Sequence, residues 1–235
     1  MEDYIKEVID QIDLSQNKPL NEIIYEGLRT AIIRGIIPTG ERINEKLYAE
    51  RLNVSRTPIR EALRRIQDED IVTYVPNYGI VVRQFTEEDV HEIYQLRIAL
   101  DILASENAMK MMTEEDFETM RALLDRTDTA QTNNDVELVI NLSRQFNNMI
   151  YEFARMPRLE SIQTKLREYL SRFRDISLTP DSRRKKALAE HRLIFRCLQN
   201  KDYVQLKMVI TEHLALSEDF ILIALKQEEA KKQKR

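Results

Sequence analysis

The chain has 235 residues, enough for one large domain or two modest ones, and is 43% hydrophobic and 32% charged with no Trp. Its net charge of −4 conceals a positive segment, since residues 18–85 carry 11 Lys and Arg against 9 Asp and Glu. No apolar run nears the roughly 18 residues of a membrane span, the acidic start lacks a signal peptide's pattern, and the lone Cys197 excludes an intrachain disulfide, so the expectation is a soluble, cytoplasmic protein with no membrane partner.

In chain order, residues 1–16 place Ile5, Val8, Ile9 and Ile12 at the spacing of an amphipathic helix and stand as an N-terminal extension. The run NEIIYEGLRTAIIRG repeats Ile24, Leu28, Ala31 and Ile32 on one face, and Gly35 can close that helix. IPTGERI reads as a loop. Asn44 then caps a short helix through Leu52, with Leu47 and Leu52 as its core contacts. Another helix starts after Ser55, with Pro58 at its third position, where a missing N–H costs no intrahelical bond.

On that last helix Ile59, Leu63 and Ile66 form the apolar stripe, while Arg56, Arg60 and Arg64, four apart, share another face with Thr57 beside them. Arginines early in a helix oppose its dipole, and a local rule broken in this way points to something outside the fold. IVTYV and IVVRQF flank the turn PNYG, a hairpin signal. Helix, short helix, basic helix and a two-stranded wing make a helix-turn-helix suited to the major groove of DNA, where Arg can donate two bonds to guanine.

All four glycines, Gly27, Gly35, Gly40 and Gly79, lie in the first third, and Pro157 and Pro180 are the last prolines. Positive-φ turns are therefore expected only in the N-terminal part, with helices joined by short polar links beyond a boundary near Phe85 and Thr86. The helices fall near 86–111, 114–131, 135–155, 157–177, 182–200 and 202–228. Thr86 with Asp89, and Thr113 with Asp116, mark two starts as capping boxes.

IIPTGERINEKLYAERLNVSRTPIREALRRIQDEDIVTYVPNYGIVV closely resembles the winged helix-turn-helix of GntR-type bacterial transcription regulators across residues 17–85. The resemblance implies DNA contacts at Lys46, Ser55, Arg56, Thr57 and Arg60, and a minor-groove wing tip at Asn77 and Gly79. Asp70 departs from the glycine usual before the wing, changing a turn rather than a contact. VHEIYQLRIALDILAS, EHRLIF and TEHL resemble the all-helical FCD domain of the fatty-acid-regulator branch, which implies a six-helix bundle with a central cavity. The expected fold is mainly α: a winged helix-turn-helix at 17–85, an effector and dimerisation bundle at 86–228, and a tail at 229–235.

In that bundle His191 lies on the stripe of Leu188, Ile194 and Phe195, and His213 on that of Val209, Ile210, Leu216 and Phe220. Ser143 and Asn147 share a face with Leu142, Phe146 and Ile150, and Arg97 and Asp101 are also four apart. Several FCD proteins hold a metal with an Asp, a His four later and two further histidines, positions that here carry Ser143, Asn147, His191 and His213. Serine is a poor ligand and an amide oxygen a weak one. The preferred reading is therefore a metal-free pocket in which His191, His213, Asn147 and Arg97 offer donors to an anion. The alternatives are zinc or nickel on Asn147, His191 and His213, and a purely structural Arg97–Asp101 pair. Cys197 reads as a buried apolar residue, RRKK at 183–186 as a solvated helix start, and KQEEAKKQKR as a frayed tail.

The expected function is a homodimeric repressor on a palindromic double-stranded operator, controlled by a small carboxylate effector. A C-terminal domain that only dimerises and a metal-dependent sensor are the alternatives. An enzyme is disfavoured, because no Gly-rich phosphate loop, Cys–His nucleophile pair or His-Glu-x-x-His motif is present.

Overall fold

Caps and apolar stripes set most elements of the computed structural model, which describes residues 3–171, 173 and 180–232. The chain divides into two compact units, Met1–Phe85 and Thr86–Arg235.

The first unit begins with α1 (Asp3–Gln11) and α2 (Leu20–Ile33). Gly35, at φ 75°, ends α2 in the left-handed region, where a residue without Cβ meets no clash. Asn44 accepts from the Lys46 and Leu47 N–H groups and so caps α3 (Glu45–Leu52). After Ser55 comes α4 (Arg56–Gln67), whose Ile59, Ala62, Leu63 and Ile66 are completely buried against α2 and α3. Leu47 is only half-buried. Tyr48, Ala49 and Leu52 form the core face of α3 instead, because that helix packs on α1 as well as α4.

The wing is β2 (Val72–Val75) and β3 (Gly79–Val82), antiparallel, with Val75 opposite Gly79. Tyr78 N–H donates to Val75 O at 3.1 Å across Pro76 and Asn77, and Asn77 takes φ 63°. IPTGERI is not wholly a loop. Its end forms β1 (Arg42–Ile43), which pairs with β3 to give the sheet order β1-β3-β2. Gly40 N–H to Val82 O and Val82 N–H to Glu41 O, both 2.9 Å, extend the pairing. A strand of two residues has no periodicity to read; only its partner defines it.

The N-terminal extension belongs to this core. Val8 and Ile12 are buried with the α2 residues, and a Cβ on Gly27 would lie 2.5 Å from Ile12 Cγ1. That close approach explains a glycine inside α2, where it otherwise costs about 1 kcal/mol relative to Ala.

The second unit contains α5 (Glu87–Met111), α6 (Glu114–Thr132), α7 (Val136–Ala154), α8 (Pro157–Tyr169), α9 (Asp181–Asn200) and α10 (Tyr203–Lys232). Thr86 with Asp89 and Thr113 with Asp116 form complete capping boxes. α5 packs against α7, α8, α9 and α10, so it supplies inward residues from several sides, among them Tyr94, Arg97 and Ser105. The expected helix 157–177 is α8 only to Tyr169; residues 172 and 174–179 lie outside the described residues.

Two expectations are corrected here. Positive φ is not confined to the N-terminal part, since Asn134, Arg155 and Lys201 take φ of 53–55° at helix ends. Left-handed C-caps satisfy orphan carbonyls, and that gain offsets a penalty of about 1–2 kcal/mol for a side chain there. α10 also runs to Lys232, through most of the segment read as a tail, with 233–235 outside the described residues. Among the described residues no helix is long and apolar enough to cross a membrane.

Candidate nucleic-acid interface and buried polar core

Burial of Ile59, Leu63 and Ile66 turns the opposite side of α4 outward, leaving Ser55, Arg56, Thr57, Arg60 and Arg64 exposed. Ser55 occupies the N-cap position, but its side chain makes no cap bond and its hydroxyl is not committed to the helix. Arg56 and Arg60 both reach one carboxylate: their Nη2 atoms lie 3.0 and 3.3 Å from Oε2 of Glu45, the first residue of α3. Glu45 was not among the residues singled out by sequence, since its partners stand 11 and 15 positions away.

The two arginine side chains remain 55% and 64% exposed, so Glu45 orients them without burying them. Screened pairs of this kind are worth about 0.2–1 kcal/mol and open readily for a stronger anion. Lys46 is exposed on α3 beside Glu50, 3.7 Å away. Asn77 is exposed at the wing tip, and Gly79 holds φ 109° next to it. The far end of α4 is braced to α2: Arg29 Nε meets Glu69 at 2.7 Å, Tyr25 Oη donates to Glu69, and Arg65 stacks on the Tyr25 ring.

In the second unit Arg97 is 5% exposed. Its Nη2 lies 3.8 Å from Asp101, which also accepts from Tyr151 Oη and Gln163 Nε2. Burial, then the Asp101 charge, pushes the Tyr151 phenol far above its ordinary value, so it stays a donor. Arg97 Nε and Gln163 Oε1 are buried with no hydrogen-bond partner among the described residues. Tyr151 and Gln163 escaped the sequence reading, because they reach Asp101 across 50 and 62 positions.

The two buried histidines do meet. Their ring centroids are 5.1 Å apart, and His191 stacks on Phe146 of α7 at 4.3 Å. His213 Nδ1 is 2.6 Å from Glu190, which also receives Arg183 Nη1 at 3.2 Å. Arg183 Nη2 donates to Ser217, whose hydroxyl donates to His213 O, both at 2.9 Å. Burial, aided by the Arg183 and Arg97 charges, lowers the His213 pKa against the pull of Glu190. Burial works to raise Glu190, yet His213 and Arg183 hold it below the usual carboxylate range. A neutral His213 donating Nδ1–H to a carboxylate satisfies both directions.

RRKK is therefore not a solvated helix start. Arg183 and Arg184 are each 4% exposed, and only Lys185 and Lys186 face water. Arg183 is drawn in by Glu190, one helical face along on α9, and by Ser217 on α10. Cys197 is buried. Ser143 is buried, and Asn147 is half-buried with its amide donating to Ser143 O at 2.9 Å. The hydroxyl and the amide oxygen are weak transition-metal ligands beside the two imidazoles, and among the described residues there is no group of three His, Cys, Asp or Glu side chains that could hold a metal ion.

Two family models match the chain: "Bacterial regulatory proteins, gntR family" over residues 20–82 and the FCD domain over 92–216. The HTH-type transcriptional regulator YdhC of Bacillus subtilis is 30% identical over 207 residues, covering 87% of this chain and 92% of that relative. The protein belongs to the GntR family, FCD branch. Other relatives include the HTH-type regulator McbR of Escherichia coli, 32% identical over 58% of this chain and 62% of McbR, and the gluconate operon transcriptional repressor of B. subtilis, 25% identical over 77% and 75%. Among solved structures, E. coli McbR/YncC superposes with a TM-score of 0.65 at 24% identity, covering 90% of this chain and 99% of that one. That likeness shows the shared fold. This GntR-family chain is a DNA-binding transcription regulator, and the families and relatives it matches are regulators rather than enzymes.

Proposed function

We propose that this regulator is a cytoplasmic, homodimeric repressor whose grip on a palindromic operator is controlled by a small carboxylate in the second unit. In this reading Arg56, Thr57, Arg60 and Ser55 address the major groove, Lys46 a phosphate, and Asn77 with Gly79 the minor groove. One winged helix reads a half-site, so two copies are required.

The observation that carries the effector assignment is Arg97 Nε–H, buried and without a hydrogen-bond partner among the described residues, beside a carboxylate already served by Tyr151 and Gln163. A buried donor left unmade costs about 1–3 kcal/mol, which an incoming carboxylate oxygen recovers. Arg97 is also close enough to His213 to lower its pKa, which puts the two in one electrostatic neighbourhood. His191 and Asn147 complete the proposed lining.

Titration calorimetry with a panel of carboxylic acids tests this. A panel member should bind wild type, fail to bind Arg97→Ala, bind unchanged in the presence of chelator, and alter operator affinity. Binding to no panel member would favour a C-terminal unit that only dimerises.

A further inference from the structure

The hairpin of the wing carries no cation, for there is neither Lys nor Arg between Ile71 and Val82. A wing laid against DNA without one would release no counterions and would desolvate phosphates uncompensated. The third strand brings the missing charge. Arg42 of β1 stands opposite Val81 of β3, and since its neighbour Ile43 is buried in the core, Arg42 points to the other, exposed face. Its Cζ lies 5.4 Å from the ring centroid of Tyr78, which is itself 51% exposed.

The guanidinium lies alongside the turn: a Cβ on Gly79 would stand 3.4 Å from Arg42 Nε and 3.8 Å from Nη2, ordinary contact distances, while the φ of 109° is what calls for glycine there. Among the described residues no carboxylate pairs with Arg42, in contrast with Arg56 and Arg60, which share Glu45.

We infer that Arg42 is the wing's contact to the DNA sugar-phosphate backbone, carried to the wing tip by the pairing of β1 with β3 and held there by Tyr78. This rests on α4 and the wing forming the DNA face. The wing then has two parts with separate tasks: the turn supplies shape at Asn77 and Gly79, and β1 supplies charge. A contact to phosphate fixes position and adds affinity without reading sequence.

The test uses full-length protein and a fluorescein-labelled, mixed-sequence duplex of about 30 base pairs, titrated by anisotropy between about 50 and 200 mM KCl. Loss of one phosphate contact lowers the log–log salt slope by about 0.9, so wild-type affinity should exceed that of Arg42→Ala by a ratio about 3.5-fold larger at the low-salt end. Arg42→Lys should retain the wild-type slope, and Arg42→Glu should weaken binding further, with circular dichroism unchanged in all three. A wild-type slope in Arg42→Ala, alongside weakened binding in Lys46→Ala, would overturn the wing contact while leaving the DNA face intact. Wild-type binding by both variants would strike the DNA face as a whole. A loss in Arg42→Ala confined to one duplex sequence, at unchanged slope, would also overturn the phosphate assignment.

Discussion

Arg56 and Arg60 converge on a single Glu45 oxygen at 3.0 and 3.3 Å, which makes their removal informative singly and together. Each side chain is more than half exposed, so releasing either from Glu45 costs only about 0.2–1 kcal/mol. A bidentate contact from arginine to guanine is worth about 1–3 kcal/mol of discrimination, so the base contact wins. Arg56→Ala and Arg60→Ala should each weaken operator binding by roughly 5- to 150-fold. The double variant should depart from additivity by up to about 1 kcal/mol, because with one arginine gone Glu45 holds the other undivided. Anisotropy titrations at fixed salt, on a duplex selected from a random pool with the wild-type protein, measure all three. Wild-type affinity in both single variants, with native circular dichroism, would refute the assignment of α4 as the groove-reading helix.

Other outcomes follow from the same structure. Residues 86–235 alone should be helical and dimeric and should not bind DNA, while residues 1–85 should bind weakly; sedimentation showing a monomer of 86–235 at micromolar concentration would count against dimerisation through that unit. His213 has its pKa lowered by burial, so its contribution to stability is complete above its ordinary 6.5 and is lost as pH falls through the lower folded value. Glu190, also lowered, adds a further loss below its ordinary 4.5. Melting temperature should therefore drop between pH 7 and 5 and drop less in His213→Gln; a rise on acidification would contradict the neutral-histidine pair. Ile12→Ala should cost about 2–5 kcal/mol in urea unfolding of the first unit, because Ile12 is buried against Gly27. An effect under about 1 kcal/mol would show that Ile12 is dispensable to that core.

The elements that could be read directly from sequence are those whose causes are local. Asn44 caps α3, and the Thr86–Asp89 and Thr113–Asp116 boxes open α5 and α6, through bonds spanning two or three residues. The stripe of Ile59, Leu63 and Ile66 repeats at the helical period, so it announced both the helix and the side left to the arginines. The bundle's histidines were legible as inward residues for the same reason.

Tertiary structure decided what depends on a partner distant in sequence. Two residues make β1 only because β3 is beside them, and that pairing is what brings Arg42 to the wing. A run of four basic residues looks solvated until Glu190 and Ser217 take Arg183 inside, since a buried charge is affordable only with partners that composition does not reveal. Asp101 likewise acquires its surroundings from Tyr151 and Gln163, 50 and 62 positions away, and Arg97 Nε beside it has no hydrogen-bond partner among the described residues. Periodicity tells which face of a helix is buried; the hydrogen-bond partners met there are set by how separate helices pack, and no local pattern encodes that.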